Sequence, residues 1–338
     1  MAVEFPERVS LANRETPLQL LDGLSKQLGK RVHVWRDDMT GWELSGNKVR
    51  KLEFLCGEAA TQGADHLLTC GAVQSNHARA TAFAARRMGW DVTLVMREPP
   101  GGLDHGAPAS GNLLLDTIAG THNVTISAET YQAHGHSFDS FLHKASSDLR
   151  DQGASPYIIP LGGSCPLGCW GYLAAMELLP GKLNNAPFDV FCAVGSGGTF
   201  AGLELGCASF SHASRVHGVN VSDTADYFDS EIRKLIAEFM DMYATQGVEY
   251  EPRPLNIYDG FVGDGYGIAS DDDLRFYASL ARKTGMLLDP VYTGKAFRGM
   301  LHQLQTRPDD FYDDIVFLHS GGQHATFAFA EQYHRALS

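Results

Sequence analysis

The segment FDVFCAVGSGGTFAGLELG, residues 188–206, decides the fold. It begins as an apolar run without polar alternation, which predicts a strand buried on both faces. Its glycine-rich centre predicts a tight turn, and the Ala- and Leu-containing end predicts a helix. Strands joined through helices in this way form parallel sheets that are covered on both sides. The segment therefore indicates an α/β fold with a doubly wound, mostly parallel sheet.

The same order of strand, turn and helix occurs twice more. HLLTCGAVQSNHARATAFAARRMG, residues 66–89, predicts a strand at 66–70 and a helix from about 76 to 88, and DVTLVMREP, residues 91–99, predicts the next strand. DIVFLHSGGQHATFAFAEQYH, residues 314–334, repeats the pattern. Ligands of such sheets bind beyond the carboxyl ends of the strands. We therefore expect the three turns to open onto one cleft.

Composition and charge exclude several classes of protein. The 338 residues are 44% hydrophobic and contain 40 acidic against 27 basic side chains, a balance that argues against nucleic-acid binding. No apolar run is long enough to span a membrane, and the N-terminus lacks a secretory signal, so a cytoplasmic location is expected. The six cysteines are too sparse for a disulfide scaffold and form no zinc motif, so no metal is predicted.

The turn VGSGGTFAG, residues 194–202, predicts an anion site. Gly195, Gly197 and Gly198 free successive backbone N–H groups at a helix start, where the helix dipole favours negative charge. Ser196 and Thr199 add hydroxyl donors to the same loop. The loop lacks both the P-loop lysine and the dinucleotide fingerprint. It is either a phosphate cradle or a tight turn that needs glycine for backbone geometry.

Three further turns carry polar groups. In GAVQSNHAR, residues 71–79, Ser75, Asn76 and His77 begin a helix, where they serve either as caps or as ligand-binding groups. PLGGSCPLGCWGY, residues 160–172, and HSGGQHA, residues 319–325, each place a hydroxyl beside a Gly-Gly pair, at Ser164 and Ser320. The same two interpretations apply to these turns.

LSGNKVRKLEF, residues 44–54, places three cations in four residues. They either solvate one face of a helix or include a lysine held for chemistry. Lys48 follows Gly46 and Asn47 at a helix start, where the dipole and the nearby Arg50 and Lys51 would lower its pKa. A phosphate cradle together with a separate lysine suggests pyridoxal phosphate, which needs both.

The chain resembles the fold-type II pyridoxal-phosphate enzymes, whose architecture is that of the tryptophan synthase β subunit. The group it resembles is that of the D-cysteine desulfhydrases and 1-aminocyclopropane-1-carboxylate deaminases, and its LSGNKVRKLEF and QSNHARATA segments look most like the plant-type desulfhydrases. The matching segments run in order from residue 36 to residue 322: RDDMTGWELSGNKVRKLEF, QSNHARATA, GNLLLD, PLGGSCPLGCWGY, GSGGTFAGL, GYGI, LDPVYTGKA and HSGG.

The resemblance implies two doubly wound domains. Residues 1–49 and 161–338 would form a large cofactor-binding domain, and residues 50–160 a small α/β domain. The resemblance also implies a homodimer that acts on a small amino acid, with pyridoxal 5'-phosphate as cofactor.

The resemblance assigns a role to each matching position. Lys48 would form the Schiff base with the cofactor, and Lys51 would act nearby. Ser75 would bind the substrate carboxylate or assist the chemistry, and Asn76 would lie beside the cofactor ring and its phenolic oxygen. Other matching positions are the phosphate loop at Gly195, Ser196, Gly197, Gly198 and Thr199, the active-site tyrosines Tyr266 and Tyr292, the ring-nitrogen partner Ser320, and the substrate-binding residues His77 and Ser164.

Two positions distinguish the activities within this group. The deaminases carry glutamate and leucine where this chain has Thr293 and Ser320, as in the desulfhydrase branch. A hydroxyl at 320 can bind the pyridine nitrogen without fully protonating it, which suits elimination. Ser45 replaces a common glycine, as in the plant-type branch. Cys165 replaces an asparagine that lies near the substrate in many relatives, which bears on selectivity.

The resemblance implies β-elimination on D-cysteine to pyruvate, hydrogen sulfide and ammonia, with Lys48 or Lys51 removing the Cα proton and Tyr292 or Tyr266 assisting departure of sulfide. Three alternatives stay open. The chain could act on a related β-substituted amino acid such as cysteate or β-chloroalanine, deaminate the cyclopropane amino acid, or bind a small molecule without catalysis.

Overall fold

The computed structural model describes residues 2–104 and 106–338. Within these ranges the strands are β1 Leu18–Leu20, β2 Arg31–Trp35, β3 His66–Ala72, β4 Asp91–Arg97, β5 His122–Ile126, β6 Pro156–Ile158, β7 Phe188–Val194, β8 Arg215–Asn220, β9 Asn256–Tyr258 and β10 Asp314–Leu318. The helices are α1 Asp22–Leu28, α2 Asn47–Thr61, α3 Asn76–Met88, α4 Gly111–Ile118, α5 Ala128–Ala133, α6 Asp139–Asp151, α7 Pro166–Met176, α8 Leu179–Lys182, α9 Gly198–Phe210, α10 Ala225–Met242, α11 Asp271–Thr284, α12 Thr293–Thr306, α13 Gln323–Thr326 and α14 Ala330–Leu337.

The larger sheet has the strand order β1-β2-β10-β7-β8-β9. Only the edge strand β1 is antiparallel to its neighbour, and the other pairs are parallel. The central strand β10 is buried along its whole length, as expected for a parallel strand covered by helices on both faces. This sheet confirms the predicted α/β class.

The smaller sheet has the order β5-β4-β3-β6, and all of its pairs are parallel. Its strands come from residues 66–158, whereas the strands of the larger sheet lie at 18–35 and 188–318. This division is compatible with the predicted two domains, whose boundaries remain predictions. The predicted junction at 49/50 falls inside α2, a helix that packs against both α7 and α3.

The strand–turn–helix units predicted from sequence are present. β3, α3 and β4 follow one another at the expected positions, as do β7 and α9. The third unit differs, because the segment after β10 forms α13, a 3₁₀ turn at Phe327–Phe329 and then α14 instead of one helix. The two pieces have different packing partners, since α13 lies against α4 and α14 against α11. The chain changes direction between them.

Glycines bring three helices into close backbone contact. A β-carbon at Gly171 on α7 would lie 2.7 Å from the backbone nitrogen of Lys51 on α2. A β-carbon at Gly202 on α9 would lie 2.5 Å from the carbonyl oxygen of Cys169 on α7. Helices α2, α7 and α9 therefore approach more closely than larger residues allow. This packing sets the lysines of α2 beside the glycine turn that begins α9.

Candidate active site

Two lysine amines meet at one backbone carbonyl. Lys48 and Lys51 both lie in the first turns of α2, and their Nζ atoms are 3.3 and 3.1 Å from the carbonyl oxygen of Gly162. Lys51 also donates to the hydroxyl of Ser164 at 3.3 Å. Gly162 and Gly163 have φ angles of 67° and 59°, a backbone form that favours glycine and turns the Gly162 carbonyl toward α2.

Burial lowers the pKa of both amines. Burial and then the charge of Lys51 hold the pKa of Lys48 well below its ordinary value. Burial lowers the pKa of Lys51 to about 8. The lowered pKa of Lys48 favours the uncharged amine, which is the form that attacks an aldehyde, while Lys51 keeps most of its positive charge at neutral pH.

The third cation of this segment has a structural role. The guanidinium of Arg50 is buried and donates to both carboxylate oxygens of Asp37 at 2.6 Å, and the Tyr172 hydroxyl donates to the same carboxylate. Although burial alone would lower it, Asp37 raises the pKa of Arg50 above its ordinary value. The interpretation of these cations as a solvated helix face, which sequence reasoning had retained for Arg50, is therefore wrong.

The glycine turn carries the predicted donors. Ser164 donates to the Ser196 hydroxyl at 2.9 Å and accepts from the backbone N–H of Gly198 at 3.3 Å. Asn47 donates to the Thr199 hydroxyl at 2.9 Å, which ties the start of α2 to the start of α9. A β-carbon at Gly198 would lie 2.8 Å from the Lys51 amine, so glycine is required there. The group of donors at this turn therefore includes Ser164 in addition to the predicted loop residues.

The donor set fits the phosphate of pyridoxal phosphate. Two amines, the hydroxyls of Ser164 and Ser196, and the amides at the start of α9 converge on one place. Among residues 2–104 and 106–338 neither lysine forms an ion pair with a carboxylate. A cluster of donors with uncompensated positive charge at a helix N-terminus is the environment that a dianionic phosphate requires. The half-buried amine of Lys48 beside it, with its lowered pKa, meets the second requirement of this cofactor.

Two tyrosines form a buried pair next to the glycine turn. The hydroxyls of Tyr266 and Tyr292 are hydrogen-bonded, and a β-carbon at Gly195 would lie 3.0 Å from the Tyr292 ring. The Asp289 carboxylate accepts from the Tyr292 backbone N–H at 2.9 Å and anchors the turn. Burial raises the pKa of both phenols, and Tyr266 raises that of Tyr292 further. Both hydroxyls are thus protonated and available as proton donors.

The start of α3 carries the Gln-Ser-Asn-His group. Ser75 accepts from the Ala78 backbone N–H at 3.1 Å, which confirms its interpretation as a helix cap. His77 is within hydrogen-bonding distance of Thr69, at 3.0 Å. Burial, and then the charges of Lys48 and Lys51, hold the pKa of His77 well below its ordinary value. Neutral His77 leaves Nδ1 without a hydrogen-bond partner among the described residues.

The last glycine turn lies beside the start of α2. The backbone N–H of Asn47 donates to the carbonyl oxygen of Ser320 at 3.0 Å, and a β-carbon at Gly46 would lie 2.6 Å from that oxygen. Thr293 is buried and its hydroxyl donates to Asp289 at 2.6 Å. The Thr293 side chain is thereby held within the turn by Asp289.

Cys165 is a partly buried free thiol whose pKa is raised by burial.

The contacts bring most predicted residues into one group. Hydrogen bonds join both lysines, Ser164 and the turn at 195–199, while Tyr266 and Tyr292 join through Gly195 and Ser320 joins through Asn47. Within the described residues, Ser75 and Asn76 form no hydrogen bond with the lysines, but the charges of both lysines act on His77. The expected convergence of three turns on one cleft is therefore supported by contacts, and the individual roles remain predictions.

Sequence reasoning missed three residues that organise this group. Gly162 supplies the carbonyl shared by the lysines, and Asp289 holds the tyrosine turn. Asn112 donates to Asn76 at 2.8 Å. Asn112 and Asp289 stand in segments that the resemblance had already singled out. The available signal was a polar residue within a mostly apolar segment, Asn112 in GNLLLD and Asp289 in LDPVYTGKA.

Among the described residues, no helix is long and apolar enough to cross a membrane. Within the same part of the chain, no group of three or more His, Cys, Asp or Glu side chains is arranged to hold a metal ion.

Comparison with known proteins identifies relatives over almost the whole chain. A family model described as "Pyridoxal-phosphate dependent enzyme" matches residues 9–321. A putative 1-aminocyclopropane-1-carboxylate deaminase of Thermotoga maritima is 39% identical over 323 residues, covering 95% of this chain and 98% of the relative. A D-cysteine desulfhydrase of Yersinia enterocolitica is 38% identical over 335 residues, covering 97% of each chain.

A solved structure shares the fold along the chain. The crystal structure of an ACC deaminase homologue superposes with a TM-score of 0.86 at 34% identity, covering 98% of this chain and 97% of that one. This similarity includes both sheets and confirms the predicted fold type.

Proposed function

The chain belongs to the pyridoxal-phosphate dependent enzymes, and from this premise we propose that it is a D-cysteine desulfhydrase, which converts D-cysteine to pyruvate, hydrogen sulfide and ammonia. Its cofactor is pyridoxal phosphate. Lys48 would bind the cofactor covalently, and the turn at 195–199 with Ser164 and Lys51 would hold its phosphate. The lowered pKa of Lys48 supports this assignment, as does the donor cluster, whose lysines have no carboxylate partner among the described residues.

The observation that carries the choice of reaction is the pair Thr293 and Ser320. The Thr293 hydroxyl is committed to Asp289, so position 293 offers no charged group to the cleft. Ser320, next to the start of α2, can offer only a neutral hydroxyl to the ring nitrogen. A neutral partner leaves that nitrogen less basic and a weaker electron sink. Elimination of a good leaving group such as sulfide needs less stabilisation of the carbanion than opening a cyclopropane ring.

Pyridoxal phosphate, when bound, supplies an electron sink conjugated to the substrate Cα. The chain's own residues would supply binding and proton transfer. The start of α3 would hold the substrate carboxylate through the Ser75 hydroxyl and the backbone N–H groups of Asn76 and His77, since a helix N-terminus favours an anion. Lys48, with its lowered pKa, would accept the Cα proton at Nζ. Tyr292, kept protonated by burial, would donate its phenolic proton to the departing sulfur.

A second candidate is 1-aminocyclopropane-1-carboxylate deaminase. The Thermotoga maritima relative, named a putative deaminase of this kind, is 39% identical, against 38% for the Yersinia enterocolitica desulfhydrase, and the solved structure, an ACC deaminase homologue, is 34% identical. Both reactions start from the same cofactor and from amino acids of similar size. The related β-substituted amino acids cysteate and β-chloroalanine are further substrates that the same groups could accept.

The test is a panel of substrates given to one purified preparation. Keto-acid formation is measured with D-cysteine, L-cysteine, L-cysteate and 1-aminocyclopropane-1-carboxylate, and sulfide release is measured in parallel. The proposal expects D-cysteine to give the highest kcat/KM, with sulfide and pyruvate in equal amounts. A higher kcat/KM for the cyclopropane amino acid would assign the second function instead. A preparation that binds pyridoxal phosphate but turns over none of the four would contradict both.

A further inference from the structure

Helix α4 buries its polar side chains. In GNLLLDTI, residues 111–118, Asn112 and Asp116 are fully buried, while Leu114 and Ile118 are exposed. A helix on a protein surface ordinarily buries its apolar face, so this inversion indicates that the polar groups have a specific task. Asn112 makes four hydrogen bonds to residues of the segment that begins α3.

Two neighbours determine the orientation of the Asn112 amide, because one can only donate a hydrogen bond and the other can only accept one. The guanidinium of Arg79 can only donate, and its Nε lies 3.2 Å from Asn112 Oδ1. The carbonyl oxygen of Gln74 can only accept, and Asn112 Nδ2 donates to it at 2.8 Å. Both neighbours require the same orientation. The second N–H of Asn112 Nδ2 therefore points to Asn76, at 2.8 Å.

This orientation determines that of Asn76 in turn. Because Asn112 presents a donor, the Asn76 atom that faces it must be the acceptor Oδ1. The Asn76 Nδ2 group then points away from α4, and it has no hydrogen-bond partner within residues 2–104 and 106–338. Asn76 is half-buried between Ser75 and His77, at the carboxyl end of β3 where ligands of such sheets bind.

We propose that Asn112 is a positioning residue: through its hydrogen bond it fixes the side-chain amide of Asn76 as a donor toward the phenolic oxygen of pyridoxal phosphate. The proposal rests on the proposed function only in taking Asn76 to lie beside that oxygen. The phenolic oxygen carries negative charge in the bound cofactor, so a fixed donor stabilises it and a carbonyl oxygen in the same place would repel it. An Asn76 amide free to rotate could present either.

Arg79 extends the same network to the lysine segment. Its side chain is fully buried and donates to the backbone carbonyl oxygens of Glu43 and, at 3.2 Å, Ser45. These residues precede Gly46 and the first turn of α2. One guanidinium therefore orients Asn112 and also holds the chain leading to Lys48. Through Arg79, this network fixes the position of the Asn76 amide relative to the Lys48 amine.

The test replaces Asn112 by aspartate, which has the same shape and accepts from Arg79 but can donate neither to Asn76 nor to the Gln74 carbonyl oxygen. The Asn76 amide should then rotate to donate to Asp at 112, turning its carbonyl oxygen to the cofactor. We expect the dissociation constant for pyridoxal phosphate, measured by equilibrium dialysis, to rise about tenfold. The pH midpoint of the visible absorbance of bound cofactor should rise by about one unit, because the negative phenolic oxygen has lost its donor.

Asn123→Asp is the matched control, since Asn123 is an exposed residue of β5 and the same change adds the same charge outside the hydrogen-bond network of Asn112. It should leave both quantities unchanged. Asn112→Ala, which adds no buried charge, should raise the dissociation constant about threefold and supplies the test if the aspartate variant does not fold. The folded state is checked by circular dichroism.

Coupling to Asn76 separates positioning from general damage. In an Asn76→Ala background, Asn112→Ala should cause no further change in cofactor affinity or in the absorbance midpoint, because its effect passes through Asn76. Additive effects of the two substitutions, or an unchanged midpoint in folded Asn112→Asp, would overturn the proposal. Neither readout uses an amino-acid substrate, so a failure here is distinct from a failure of the proposed desulfhydrase activity.

Discussion

The amines of Lys48 and Lys51 share one hydrogen-bond acceptor, the carbonyl oxygen of Gly162, at 3.3 and 3.1 Å. Two buried amines at one acceptor cannot both be charged without strong repulsion. The charge of Lys51 lowers the pKa of Lys48, and Lys51 itself lies against the glycine turn. The lowered pKa of Lys48 favours its nucleophilic form, while Lys51 remains mostly a cation at neutral pH, beside the candidate phosphate site.

The first prediction concerns stability without cofactor. The pKa of Lys51 is about 8 in the folded protein and near 10.5 when exposed, so the unfolded chain holds a proton that the folded chain releases between these values. The contribution of Lys51 to the free energy of unfolding therefore rises with pH across this window. Lys51→Met should remove this rise, so that the variant is the more stable by about 2 kcal/mol at pH 7 and equal to wild type by about pH 10.

Urea unfolding of the cofactor-free proteins between pH 7 and pH 10 gives the comparison. Lys234→Met serves as control because Lys234 is exposed on α10, and its difference from wild type should not change with pH. A constant difference for Lys51→Met as well would show that burial does not lower the pKa of Lys51.

The second prediction concerns proton donation by Tyr292. Tyr292→Phe removes the hydroxyl that faces Tyr266 but keeps the ring against Gly195. We expect kcat for D-cysteine to fall about 100-fold, the usual effect of losing a general acid, with retention of the visible cofactor absorbance. Steady-state kinetics and an absorbance spectrum of the same preparation check this. Tyr312→Phe, a change of a tyrosine that donates instead to the Ala213 carbonyl oxygen, is the control. A kcat within threefold of wild type would exclude Tyr292 as the acid.

The third prediction concerns the neutral hydroxyl at position 320. Ser320→Thr keeps a hydroxyl and should preserve most of the desulfhydrase activity, whereas Ser320→Ala removes it. We expect Ser320→Ala to lower kcat/KM for D-cysteine about tenfold, the effect of one lost hydrogen bond to the cofactor ring. The sulfide assay distinguishes the two variants. Equal activity of the alanine and threonine variants would mean that the hydroxyl makes no contact used in catalysis.

The fourth prediction concerns the helix packing that holds the site. Gly171→Ala would place a methyl group 2.7 Å from backbone atoms of Arg50 and Lys51, which cannot move independently of α2. We expect a loss of about 2–3 kcal/mol in the free energy of unfolding. Gly181→Ala on α8, where a β-carbon meets nothing within 4 Å, should be neutral or slightly stabilising. Urea denaturation measures the free energy of unfolding of both variants. Equal values would contradict the prediction and would mean that α2 and α7 can separate to accept the methyl group.

Local patterns predicted much of the fold and of the site. The alternation of apolar runs, glycine turns and helices indicated the parallel sheets, because each element depends on residues close in sequence. The candidate phosphate loop was predicted for the same reason. Its hydroxyls and amides belong to one short segment whose geometry follows from glycine and a helix start.

The burial of Arg50 and Lys51 was not predictable from their own segment. Three cations in four residues are typical of a solvated face, but α7 covers this face through Gly171, more than 100 residues later in the chain. The inverted burial of α4 has a similar cause. Arg79 and Gln74 bind Asn112 from another helix start, and nothing in the segment GNLLLDTI itself indicates that its polar residues are buried. Contacts of this kind depend on tertiary packing and leave no local pattern.

The proposed function depends on Lys48 as the covalent attachment site of pyridoxal phosphate, and one measurement tests this directly. Borohydride reduction fixes the cofactor to the amine that holds it, and a modified lysine resists trypsin. Mass spectrometry should then find the pyridoxyl group on a peptide of residues 37–50, uncut at Lys48. A modified Lys51 would instead appear in a peptide of residues 51–79, uncut at Lys51, and that result, or an adduct on any lysine other than Lys48, would contradict the assignment.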